Sequence, residues 1–231
     1  MKGRRPRPRK EVGLCEVLAL AGVLVCGTSI SAPAQDEQIS VAAKLRSTVS
    51  FDLSSGGATR LFGGVTDPGR GTLQLALHAR VPLLVRSGLE LDYTAGVVPV
   101  ELALGTRLAG PVGPDGRPRT ARVFGAGVDG LGLTARLRGR SRWQPYVAVV
   151  GGVRLFEEPV PNPRGTRFNF SADLGAGVAL RLAPRRWVAV GVALHHLSNG
   201  GLGSANPSFN GFDVTVSVGR SRERASRPGL P

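Results

Sequence analysis

The chain has 231 residues, 42% hydrophobic and 5% aromatic, with 33 glycines, 17 prolines and a formal charge of +14. That suits one compact domain rich in strands and turns, and no long helical pattern competes with it. A nucleic-acid partner would call for basic residues interleaved with aromatics on one surface, so the charge points instead to anionic lipid or another polyanion.

At the N-terminus, Lys2, Arg4, Arg5, Arg7, Arg9 and Lys10 precede an apolar stretch over 12–25, followed by the small-x-small sequence Ala32-Pro33-Ala34. This pattern reads as an export signal over residues 1–34. An uncleaved membrane anchor is the alternative, but the run is short and interrupted by Glu16. Both cysteines, Cys15 and Cys26, lie in the segment. The mature chain therefore has no thiol for a disulfide, a cysteine nucleophile or a zinc site. Residues 35–56 are expected to be an N-terminal periplasmic segment, with an extra strand as an option because 39–53 also alternates. The barrel domain is expected over 57–220 and a C-terminal tail over 221–231.

Beyond the signal, the dominant pattern is two-residue alternation, the period of a strand. In 72–81, Leu73, Leu75, Leu77, Ala79 and Val81 oppose Thr72, Gln74, Ala76, His78 and Arg80. In 168–182 the even positions from Phe168 to Leu182 are all apolar, and the odd ones are polar or tiny. Apolar faces of about ten residues, strand after strand, match the span of a tilted strand crossing a bilayer. Strands are predicted at 58–66, 72–85, 88–104, 120–137, 143–156, 166–182, 187–198 and 210–220. The fold class is accordingly all-β: an antiparallel transmembrane β-barrel of about eight strands, of the outer-membrane type. A channel is disfavoured, because so small a barrel is filled by its own side chains.

The connections at 86–87, 138–142 and 183–186 are short, and those at 105–119, 157–165 and 199–209 are longer. This rhythm puts the termini in the periplasm and the long loops outside. The first connection, 67–71, is short and breaks it. Arg138, Arg140, Arg142, Arg185, Arg186, Arg220, Arg222 and Arg224 gather at the short-turn side, where phospholipid headgroups are their expected partners. Arg117, Arg119, Arg164 and Arg167 lie on the other side, diluted by Asp115, Glu157 and Glu158. Trp143, Trp187 and Tyr146 are expected as interface anchors.

Where the seventh predicted strand ends, parity places His196 and Ser198 on the lipid-facing stripe with Val188, Val190, Val192 and Leu194. The eighth strand turns Asn210 to the same surface with Phe212, Val214, Val216 and Val218. A serine hydroxyl is a poor nucleophile until an imidazole takes its proton, and the imidazole needs a third group to fix its tautomer. The alternative is polar residues marking where a membrane strand enters a loop, with Asn206-Pro207 as turn chemistry. Asn199, Gly200 and Gly201, immediately after the serine, could offer an amide side chain and close-approaching backbone N–H groups to a developing oxyanion. His195 is sent to the lumen with His78, to bond among Glu90, Asp92, Asp173 or Asp213. Neither a metal nor a cofactor is expected.

The segment "HHLSNGGLGSANPSFN" resembles the His-x-Ser-Asn…Asn-Pro signature of the PagL-like outer-membrane lipid A 3-O-deacylases, also called acyloxyacyl hydrolases. "GVTDPGRG", "LDYTAGVVPV", "VFGAGVDGLGL", "QPYVAVVGGVRLFEEPVP" and "RFNFSADLGAGVAL" resemble further segments in the same order, so the likeness covers about residues 63–219. It implies an outer-membrane esterase acting on lipid A of lipopolysaccharide, with Ser198 as nucleophile, His196 as base, and Asn199 with Gly201 as oxyanion donors. The family's best-known members carry glutamate at the position of Asn210, and Ser208 stands where a glycine would be expected. The tail lacks the aromatic last residue of many outer-membrane barrels. Outer-membrane lipids and a homodimer are the other partners consistent with this reading. The rival is a catalytically silent structural or lipid-binding barrel that lost the triad acid.

Overall fold

The computed structural model describes residues 46–59, 70–86, 88–106, 120–138 and 141–223. The expected signal segment, most of the first predicted strand and the end of the tail lie outside them. Eight antiparallel strands close into a barrel: β1 (Arg46–Ala58), β2 (Gly71–Arg86), β3 (Leu89–Thr106), β4 (Thr120–Leu137), β5 (Trp143–Val160), β6 (Thr166–Ala183), β7 (Arg186–Ser198) and β8 (Ser208–Glu223). Each strand pairs with its sequence neighbour, and β1 pairs with β8 from Arg46↔Glu223 to Ala58↔Gly211. No open edge is left, which removes the unpaired row of backbone groups that an edge strand would expose.

The first strand differs from expectation. It is Arg46–Ala58, so the described part of the expected periplasmic segment, 46–56, belongs to the barrel wall, while 60–66 of the strand expected at 58–66 lie outside the described residues. Val49, Phe51 and Leu53 face out while Thr48, Ser50 and Asp52 are buried inside. This is the alternation noted at 39–53, and pairing to both β2 and β8 decides its place. β1 and β2 are then separated by 59–70, but the expected long-short rhythm does not hold throughout: β5 runs on to Val160, so its connection to β6 (161–165) is no longer than the one between β4 and β5 (138–142). β8 likewise continues to Glu223, three residues into the expected tail.

The outer face of the strands is an apolar belt, with Val128, Val147, Val190, Val214 and Val216 all exposed. Inside, the packing has three levels. Ala103, Val123, Phe156, Val160, Leu197 and Phe209 form an apolar plug below the long loops. At the short-turn end Ala179, Trp187 and Ala189 pack with Tyr146. Trp187 is thus not an interface anchor: its odd parity turns it inward, beneath the guanidinium groups of Arg80 and Arg136. Tyr146 also faces the lumen, whereas Trp143 is exposed as expected.

Between the plugs runs a chain of charged groups. His78 bridges Asp52 (2.6 Å) and Asp129 (2.9 Å), and Arg154 joins Asp129 (2.8 Å) to Glu101 (2.6 Å). His195 reaches Asp173 at 2.7 Å and lies 3.6 Å from Glu101. Arg154 and Glu101 are fully buried, so these side chains fill the middle of the barrel. Removing one partner of a buried ion pair leaves the other charge uncompensated. Arg154→Met should therefore destabilise the barrel by about 3–5 kcal/mol, read as a lower denaturant midpoint of unfolding in detergent, while Arg142→Gln at the exposed rim should move it little.

Candidate active site

The register of β7 and β8 builds the site. Leu197↔Phe209 is an inward pair, locked into the upper plug, so its neighbours His196↔Asn210 and Ser198↔Ser208 must point outward. A slip of one residue would expose Leu197 and Phe209 and bury the three polar groups, which is why this orientation is well specified.

His196 Nδ1 lies 2.7 Å from Asn210 Oδ1, and His196 Nε2 lies 3.2 Å from Ser198 Oγ. With the amide oxygen accepting from Nδ1–H, the Nε2 lone pair is left to receive the serine proton. His196 and Ser198 are half-buried and Asn210 is buried. The structure thus brings together the imidazole, hydroxyl and carboxamide, next to the apolar belt. No carboxylate among the described residues supplements the amide. Asp213 faces the lumen and accepts from Thr72, and Asp173 is engaged with His195.

Asn199 and Gly201 are arranged differently from the expectation of two donors facing an oxyanion. The Gly201 N–H donates to Asn199 Oδ1 (3.0 Å), and Asn199 Nδ2 donates to the Ala205 carbonyl (2.8 Å). Asn199 is wholly buried, so both donors serve the turn. Gly200 and Gly201 have φ of 62° and 81°, which only glycine adopts at little cost, and this tight path folds the Gly201 N–H back onto Asn199.

Two neighbours were not legible as site residues. Phe170 is the register partner of Ser198 on β6, and its ring lies against Gly200 and packs edge-on to Phe168 at 5.3 Å, so an aromatic wall flanks the hydroxyl. Ser208 is the partner of Ser198 on β8 and adds a second hydroxyl to the same face. The signal for both was parity: Phe170 and Ser208 share the even, outward face of their strands.

A closed barrel of eight strands with an apolar exterior and a polar lumen defines an outer-membrane-type barrel, and this one carries a Ser-His-Asn cluster on its outer surface. The family model of lipid A 3-O-deacylase (PagL) matches residues 115–219, a segment that holds all three groups. The match bears out the likeness read from the sequence over these residues, and together with the outer-membrane barrel fold it points to the bacterial outer membrane.

Among solved structures, the outer membrane enzyme PagL is similar at 16% identity, covering 73% of this chain and 97% of its own, with a TM-score of 0.54. Neisserial surface protein A (NspA) has 10% identity, covers 79% and 98%, and gives a TM-score of 0.39. The outer membrane protein AlkL has 17% identity, covers 87% and 100%, and gives 0.43. No curated protein matches the chain.

Proposed function

We propose that the protein is an outer-membrane serine esterase that removes the ester-linked 3-hydroxyacyl chain at the 3-position of lipid A. The observation that carries this reading is the His196 ring, held between Ser198 Oγ and Asn210 Oδ1 on the hydrocarbon-facing surface. A hydroxyl at the edge of the apolar belt meets the acyl ester of a lipid without the lipid having to leave the membrane.

In the first half-reaction Ser198 Oγ attacks the ester carbonyl as its proton passes to His196 Nε2. The imidazolium returns that proton to the departing sugar oxygen, leaving an acyl-enzyme at Ser198. Water, deprotonated by His196, then attacks the acyl carbon; the acyl–Oγ bond breaks as the imidazolium returns the proton to Ser198 Oγ, and a 3-hydroxy fatty acid is released. Asn210 orients the imidazole throughout but lends it no full negative charge. For Asn199 and Gly201 to serve as oxyanion donors, the Gly201 N–H must leave Asn199 Oδ1 and the Asn199 amide must turn from the Ala205 carbonyl as substrate binds, a rearrangement of apo geometry.

The test is mass spectrometry of purified lipid A before and after incubation with the full chain in detergent. Loss of one 3-hydroxyacyl group is expected; an unchanged spectrum ends the assignment. The amide at 210 and the engaged donors of the turn favour a second reading, a silent lipid-binding barrel. A serine-reactive phosphonate separates the two: labelling confined to Ser198 is expected of the esterase, and a folded barrel that takes no label supports the silent form.

A further inference from the structure

β7 and β8, which carry the Ser-His-Asn cluster at one end, hold a second polar pair at the other. Arg186 and Arg220 are register partners, directly following the outward pair Val188↔Val218 and, beyond it, Val190↔Val216. By the same parity both guanidinium side chains leave the outer surface. The partner of Arg220 on β1 is Val49, also exposed on that surface. The Ser221 N–H donates to the Arg185 carbonyl (2.9 Å), pinning the β6–β7 turn against β8 and fixing the spacing of the pair.

Two observations place the pair at headgroup depth. Trp143 is 60% exposed at the same end, where an amphipathic ring settles at a membrane–water interface. Leu182, at the end of β6, is 57% exposed, so the apolar belt reaches the turns. Acidic side chains at this end face elsewhere: Glu90 takes Arg138 at 2.9 Å and Asp92 lies 3.7 Å from Arg136. Among the described residues no carboxylate pairs with Arg186 or Arg220.

Like charges directly opposite on neighbouring strands repel, and the repulsion grows where hydrocarbon replaces water on one side. An anion between the two groups removes it. Guanidinium forks suit phosphate oxygens, and their aliphatic stems can lie along apolar surface. We infer that Arg186 and Arg220 clamp the phosphate of an anionic phospholipid of the periplasmic leaflet, its acyl chains lying along the valine stripe of β7 and β8. A zwitterionic headgroup fits less well, because its ammonium adds a third cation. Lipopolysaccharide belongs at the opposite, long-loop end. The site does not depend on the esterase reading.

Native mass spectrometry of the full chain, released from micelles containing equal phosphatidylglycerol and phosphatidylcholine, tests it. The protein should retain phosphatidylglycerol with about thirtyfold preference, the scale expected of two cations at an anionic surface. Arg186→Gln with Arg220→Gln should bring retention down to the phosphatidylcholine level, and Arg164→Gln, exposed at the opposite, long-loop end, should leave it intact. The lysine double variant, which keeps the charge, covers any failure of the glutamine variant to fold, and should retain the preference in weakened form. Equal retention of the two lipids by the unaltered protein, or undiminished preference in the folded glutamine variant, would overturn the site.

Discussion

Ser198→Ala is expected to lower fatty-acid release from lipid A by on the order of 10², because the hydroxyl is the atom that takes the acyl group and the amide at 210 already forgoes about 10⁴ of the roughly 10⁶ that a complete triad supplies. His196→Ala should cost a similar factor, and the double variant no more than either alone, since nucleophile and base act as one unit. Mass spectrometry of released 3-hydroxy fatty acid measures the loss. Circular dichroism should show an unchanged β signal, because both side chains lie outside the packed interior, above the plug formed by Leu197 and Phe209. Undiminished release by both variants would remove the reaction from this surface.

Asn210→Glu is expected to raise turnover substantially. The amide orients His196 through a 2.7 Å contact but leaves the imidazolium of the transition state without an anionic partner. An amide in place of the triad carboxylate costs about 10⁴ in a serine hydrolase, so the variant has room to gain up to roughly that factor. The gain should appear in kcat rather than KM, because the added charge acts on a species formed only during reaction. The contact also has a structural side, since glutamate cannot donate a hydrogen bond where the amide can. A fall in kcat would show that the Asn210 Nδ2 group has a role that the carboxylate cannot fill.

Much of this architecture was legible because a barrel wall repeats one simple constraint. Every second residue meets lipid, so seven of the eight strands stood out by alternation alone. The alternation of β1 showed at 39–53 but did not fix its place, because serines at 47 and 55 interrupt its outward row and its position depends on two ladders reaching residues far away in sequence. Trp187 was misassigned for a related reason. Residue type suggested an interface, but parity turned the ring inward, where Gly219 leaves room for it and Arg80 and Arg136 lie over it. His195 was expected in the lumen among several acids. Of these it found Asp173, with Glu101 of β3 as its second neighbour.

The same division applies at the candidate site. Period-two spacing determined that His196, Ser198 and Asn210 share the outer face, since side-chain direction in a strand is a local property of the pleat. Whether three residues on one face touch is a question of inter-strand register, set by turn geometry and by the packing of Leu197 against its plug. Tertiary structure alone decided that Asn210 reaches Nδ1, that Asp213 and Asp173 are spent on interior partners, and that Asn199 and Gly201 bond to each other. Those outcomes depend on which donor meets which acceptor across strands, and no one-dimensional pattern encodes that.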